Sequence, residues 1–426
     1  MIVRVEEKES IFKCLEESKM QKSGGAVIPM DNKDIVYLFG EKQIQPTPKK
    51  IFDEAVCDFL GKLSEELRAD MRAKQYTDIL TFAFFIRRAN LKLMRERYED
   101  VKYMIGKGTV FHIAPSNVPI NFAYSWVFGL LAGNANIVRV SGKDFIQVRI
   151  ICEVLQKLMQ DEIYHWVSRE NSIVMYNHEK KELTDLFSRQ CNVRLIWGGD
   201  RTIEAIRQSK LPPRSTEITF ADRYSFGMMD AKVVTESTDK ELKYLVKNFY
   251  NDTYLMDQNA CSAPHMICWI GKTDVCKSAQ DRFWNQMAIE AERYPLEDMK
   301  VSEKYTKLCS ELIEVETEKV NRYQNLLYVV SLKNMPEHVM RLRGKYGMFF
   351  QKNFKTVEEA LTYFDDTRVQ TCVVYGIKGD VVRTKAINMH LMGVDRVVPV
   401  GKSLDIDLKW DGYDMIRILS REISVI

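Results

Sequence analysis

The chain has 426 residues, 46% of them hydrophobic, which is enough for two or three domains around a large core. Its 62 lysines and arginines nearly balance 59 aspartates and glutamates, for a net charge of +3 with no basic run. This argues against a dominant nucleic-acid function.

No apolar stretch approaches the length of a membrane span. The start, MIVRVEEKESIF, lacks the apolar core and small-residue cleavage site of a signal peptide. The nine cysteines are scattered without a C-x-x-C pair, and the six histidines are equally dispersed. That pattern predicts reduced thiols in the cytoplasm and no zinc site.

In chain order, turns are expected near Gly24-Gly25, followed by a polar stretch, QIQPTPKK, before residue 51. Val56, Phe59, Leu60, Leu63 and Leu67 then recur at helical spacing, as do Ile79, Phe82, Ile86, Ala89 and Leu93. Two amphipathic helices are therefore predicted, within an N-terminal helical segment over 1–104 that packs on the next domain. From about residue 105 strands and helices alternate. Strands are predicted at 109–114, 136–140, 171–176, 193–197 and 225–229, with helices near 121–132, 144–162, 179–190 and 201–208. Asp144 and Asp200 are expected to cap two of these helices. This alternation predicts a parallel sheet covered on both faces, in a dinucleotide-binding domain over 105–256.

A second α/β region, 257–394, is predicted to hold strands at 264–270, 325–330, 347–353 and 371–375. Its helices are expected at 274–293, 300–314, 356–364 and 380–392. The tail, 395–426, contains a short apolar strand from Arg396 to Val400 and another near the end, and is a possible oligomer contact.

The chemistry concentrates in a few places. Cys261 lies in Asp257-Gln-Asn-Ala-Cys-Ser-Ala-Pro-His265. Its small and polar flanks suit an accessible turn, and a thiolate attacks a carbonyl carbon and makes a good thioester. A free cysteine is more often a packed apolar side chain, and that is the expectation for the other eight. Ala114-Pro-Ser-Asn-Val-Pro119 follows a strand and precedes a helix, the position where cofactors bind in parallel sheets. There Pro115 and Ser116 are candidate cofactor contacts, and the Asn117 amide is a candidate donor to a developing oxyanion. Arg139, Ser141 and Lys143, at another strand end, suit a phosphorylated ribose. Gly198, Gly199 and Thr202 follow a further strand and open a helix, where a backbone can approach phosphate. His265 lies close enough in sequence to Cys261 to suggest a hydrolase pair. On a strand it would point away from the turn. His112 alternates with Phe111 and Ile113 and reads as a packed histidine.

Together these pieces resemble the aldehyde dehydrogenase superfamily, and within it the acyl-CoA reductases of the bacterial bioluminescence type, the LuxC family. Three stretches carry the resemblance: HIAPSNVPINFAYSWVFGLLAGNANIVRVS, DQNACSAP around Cys261, and GVDRVVPVGKSLDIDLKWDGYDMI at 393–416. The resemblance implies an α/β fold of aldehyde dehydrogenase type, with a Rossmann-type cofactor domain and a second α/β catalytic domain. It implies that Cys261 is the nucleophile and Asn117 the oxyanion donor. Arg139 stands where the superfamily has a ribose-binding lysine. Gly142 replaces the usual acidic residue, which favours NADPH over NADH. The glutamate that activates water in hydrolytic members is missing, since the matching stretch is Phe220-Ala-Asp-Arg-Tyr224, with Asp222 close in register. The implied activity is reduction of a long-chain acyl-CoA or acyl-protein thioester to an aldehyde. Expected partners are an acyl-protein synthetase or acyltransferase and further copies of the chain. Three alternatives stand beside it: an aldehyde dehydrogenase releasing acid, a cysteine acyltransferase or hydrolase working without nicotinamide, and a non-catalytic scaffold on the same fold.

Overall fold

A computed structural model of the protein describes residues 33–425. The turns expected near Gly24-Gly25 lie outside the described residues. The first seven strands are β1 (Val36–Gly40), β2 (Ile105–Gly106), β3 (Thr109–Ile113), β4 (Ala135–Val140), β5 (Asn171–Met175), β6 (Val193–Trp197) and β7 (Thr216–Phe220). All but β2 form one sheet in the order β1-β5-β4-β3-β6-β7. β3 to β7 run parallel, and β1 pairs antiparallel to β5 at the edge. Counted from β3, the parallel strands stand in the order 3-2-1-4-5 of a dinucleotide-binding sheet. The order reverses between β3 and β6, and such a sheet takes its ligand at the carboxyl ends beside that point.

The next strands are β8 (Tyr224–Asp230), β9 (Pro264–Ile270), β10 (Thr317–Tyr323), β11 (Leu327–Leu332), β12 (Met348–Phe354), β13 (Val369–Tyr375) and β14 (Arg396–Pro399). They make a seven-stranded sheet, β10-β11-β12-β9-β8-β13-β14, parallel except at β10. The strand expected at 225–229 thus belongs to the second sheet. The chain changes sheets at 221–223, earlier than the expected boundary at 256.

The remaining strands, β15 (Lys409–Trp410), β16 (Tyr413–Asp414) and β17 (Ser420–Arg421), lie in the tail. β15 and β16 form a hairpin, and β17 pairs with β2. β14 closes the second sheet, yet Leu408, Met415, Ile416 and Leu419 are buried in the core of the first. The tail therefore straps the two sheets together.

Other departures have local causes. The periodic run from Ile79 to Leu93 is two helices, Thr77–Phe85 and Arg88–Glu96. The break at Ile86-Arg87 turns Leu91 and Met94 inward and leaves Leu93 exposed. Asp144 does not cap: Phe145 precedes the Ile146–Leu158 helix, and Asp144 pairs with Arg149. Asp200 is the first residue of the Asp200–Arg207 helix, with Gly199 at the cap.

Candidate active site

Four loops carry the candidate residues. Three follow β3, β4 and β6 at the carboxyl edge of the first sheet. They hold Pro115, Ser116 and Asn117; Ser141, Gly142 and Lys143; and Gly198, Gly199 and Thr202. Ser116, Asn117, Gly142, Lys143, Gly199 and Thr202 are exposed. The fourth loop carries Cys261 to the amino end of β9 in the second sheet. Residues 221–223 tie the two edges together, because they alone join the carboxyl end of β7 to the amino end of β8. So short a link spans at most about 14 Å. Adjacent strands lie about 4.8 Å apart, so the loop after β3 is about 10 Å along the edge from that link.

The Cys261 loop is tightly specified. Asp257 and Gln258 both adopt left-handed backbone, at φ 54° and 61°. Consecutive non-glycine residues of this kind persist only where surroundings hold them. The buried Gln258 side chain does so. Its amide nitrogen donates to the carbonyls of Pro264 at 3.3 Å and Met348 at 3.0 Å, and its oxygen accepts from Gly347 N–H at 3.2 Å. Tyr294 and Lys300 hold the Asp257 carboxylate. Beyond the thiol, the Ser225 hydroxyl donates to the Cys261 carbonyl at 2.7 Å.

Cys261 itself is solvent-accessible in a turn. The protein surrounding the sulfur still desolvates it and pushes its thiol up from the ordinary value. The nearby charges of Asp222 and Asp411 push the same way. The Arg223 backbone N–H and the Arg343 cation pull it down. Seven residues on, Cys268 is fully buried, with its thiol far higher for want of solvent. Cys152, Cys191, Cys276 and Cys372 are buried too, as expected of structural cysteines. Cys309, by contrast, is exposed.

His265 is buried with its ring 5.5 Å from that of Tyr224, and burial pushes its imidazole down to about 3. It is a neutral core group. His112 is likewise buried, held by Ser125 and Asn136 at 2.8 and 2.9 Å. Asp222 is exposed, but its carboxylate pairs with Arg343 at 3.0 Å.

The edge of the first sheet is open beside two of its glycines. A Cβ built on Gly142 or Gly199 would meet nothing within 4 Å. Arg139 is largely buried, its guanidinium 4.9 Å from the Tyr176 ring and 3.4 Å from the Tyr176 carbonyl. Its Nε is buried without a partner. Burial lowers the Arg139 pKa, and the contacts of its guanidinium are with Tyr176.

A family model described as acyl-CoA reductase (LuxC) matches residues 54–422. The chain belongs to this family. A long-chain acyl-protein thioester reductase from Vibrio harveyi is 25% identical over 167 residues, 39% of this chain and 32% of that protein. Long-chain acyl-protein thioester reductase 2 from Photobacterium leiognathi is 21% identical over 189 residues, 44% of this chain and 36% of that protein. The chain thus matches about a third of the length of each of these curated relatives. Its fold is that of the aldehyde dehydrogenases. A lactaldehyde dehydrogenase structure superposes with a TM-score of 0.56 at 14% identity, covering 81% of this chain and 78% of that one.

Several residues around the LuxC-family thiol escaped the sequence reading. Gln258 carried no signal beyond its place near the cysteine. Arg223, Arg343 and Asp411 converge from three distant segments. For Asp411 a signal existed: Asp-Gly between aromatic residues marks a tight hairpin. Among the described residues no helix is long and apolar enough to cross a membrane, and no cluster of metal-ligating side chains occurs.

Proposed function

We propose that this LuxC-family chain reduces an acyl thioester, of long-chain acyl-CoA or an acylated partner protein, to the aldehyde. One observation carries the reading: an accessible cysteine on a strained turn, in the sheet that residues 221–223 tie to the ligand edge of a 3-2-1-4-5 sheet.

In this reading the Cys261 thiolate attacks the acyl carbonyl, with the Asn117 amide and the Cys261 backbone N–H donating to the oxyanion. The carbon–sulfur bond to CoA or the partner breaks. That thiol leaves with a proton, and the acyl group stays on Cys261 as a thioester. A bound nicotinamide cofactor supplies the hydride that reduces it. The aldehyde departs, and Cys261 is regenerated. Ser116, Ser141, Lys143, Gly198, Gly199 and Thr202 would hold the dinucleotide through hydroxyls, backbone N–H groups and one cation. Pro115 would stiffen its loop, and Arg139 would reach the ribose only by leaving Tyr176. Open space at Gly142 beside the Lys143 cation favours a 2′-phosphate, hence NADPH. Water is a poor rival for the thioester. The two carboxylates that act on Cys261 are poorly placed as bases: Asp222 is paired with Arg343, and Asp411 is buried against Arg223 and Gln370.

The reading is tested by following NADPH consumption with a panel of acyl-CoAs while detecting aldehyde directly. Aldehyde formed in step with NADPH consumed is expected. Acid produced from aldehyde as the dominant reaction, or acyl transfer without any cofactor, would overturn it.

A further inference from the structure

The Asp-Gly hairpin tip between β15 and β16 reaches the point where the sheets join. Asp411 adopts left-handed backbone at φ 55°, and its side chain is only 1% exposed. One carboxylate oxygen lies 3.2 Å from Nη1 of Arg223 and accepts from the Gln370 amide at 2.9 Å. The other is buried without a partner. Arg223 is gripped from further sides. Its guanidinium pairs with Asp395 and donates to the Val369 carbonyl at 3.3 Å, and its own carbonyl accepts from Arg343 at 2.9 Å. Arg223 is also one of the three residues that join the sheets, two residues before Ser225, whose hydroxyl holds the Cys261 carbonyl at 2.7 Å, and its backbone N–H acts to lower the Cys261 thiol.

A buried pair needs good geometry to offset desolvation, and this one leaves a carboxylate oxygen and the Arg223 Nε unpartnered. Stability alone is a weak reason for such an arrangement. We infer that Asp411 is a positioning residue for the nucleophile: it clamps Arg223 so that the Arg223 backbone amide stays in place and stabilises the Cys261 thiolate. The inference rests on the reading of Cys261 as the nucleophile. The other charged groups facing the sulfur are Asp222 and Arg343, paired with each other.

Two roles for Asp411 predict opposite signs. A clamp lost means an amide lost, and the thiol titrates at higher pH. If Asp411 is merely a nearby negative charge, removing it makes the thiol titrate at lower pH.

The test is the pH dependence of Cys261 alkylation by iodoacetamide, read by peptide mass, with exposed Cys309 as internal control. It needs neither substrate nor cofactor. In Asp411→Ala the Cys261 midpoint should rise by about one unit, slowing alkylation about tenfold at neutral pH, while Cys309 is unchanged. Asp411→Asn keeps a residue that tolerates left-handed backbone and can still accept from Arg223, so it should fall between the two. An unchanged or lowered midpoint in a variant that melts cooperatively would overturn the inference. So would loss of folding in both variants, which would assign the pair to stability. A wild-type Cys261 that resists alkylation at every pH would instead sink the nucleophile reading itself.

Discussion

Around Cys261 side chains from four segments hold the loop and its neighbours. Gln258 bonds three backbone groups, Asp257 is met by Tyr294 and Lys300, and Ser225 fixes the cysteine carbonyl. Across the junction the loops after β3, β4 and β6 present exposed Ser116, Asn117, Gly142, Lys143 and Gly199 to solvent. The contrast fits what each edge would do in the proposed reaction. A nucleophile gains from being fixed before substrate arrives, because a displaced attacking atom costs rate steeply. A dinucleotide edge must admit a large polar ligand and let it go, so its donors stay open to water until they are used.

The first way to break this comparison is to remove the fixed atom. Cys261→Ala should lower thioester reduction by at least about a thousandfold, while cofactor binding persists. Dinucleotide fluorescence titration beside the rate assay checks both halves. Loss of cofactor binding in a folded variant would show that the two edges are not separable.

Removing the donor on the open edge comes next. Asn117→Ala should cost about a hundred- to a thousandfold in kcat with little change in KM, the pattern of an interaction made in the transition state. A rise in KM alone would make Asn117 a binding residue.

Gln258→Ala sharpens the fixed side. It strands buried backbone groups and should cost about 2–4 kcal/mol in denaturant unfolding. Lys143→Ala sharpens the open side: KM for NADPH should rise about tenfold, with KM for NADH unmoved and stability unchanged. If Lys143→Ala affects the two cofactors equally, the 2′-phosphate preference is wrong.

The smallest effect concerns pH. The Cys261 thiol lies above its ordinary value of 9.0 because burial outweighs the Arg223 amide and the Arg343 cation. Alkylation of the free protein should therefore still climb past pH 9. A plateau near neutrality would mean that the amide and cation win.

How much of this was legible depends on distance along the chain. The apolar runs of β3, β4, β6, β9 and β13 stood out because their residues are buried on both faces. β7 and β10 did not, since TEITF and TEKVNRY are half-exposed edge strands whose polar residues blur the pattern. β1 is another such edge, a five-residue strand that no longer run announced. The cysteine loop and the loops of the open edge were visible as local motifs. The clamp was not, because Arg223, Gln370 and Asp411 are brought together only by the packing of the tail over both sheets. Local sequence carries turns and strand ends. It does not carry which arginine a distant hairpin tip will reach.

The central claim is that the sulfur at 261 holds the acyl group until the cofactor arrives. Wild-type protein should be mixed with radiolabelled long-chain acyl-CoA, quenched and digested, with a parallel sample receiving NADPH before the quench. The account predicts label on the Cys261 peptide, lost on adding NADPH with equal gain of labelled aldehyde. Label on another residue, or an acylated Cys261 that NADPH leaves untouched, would contradict it.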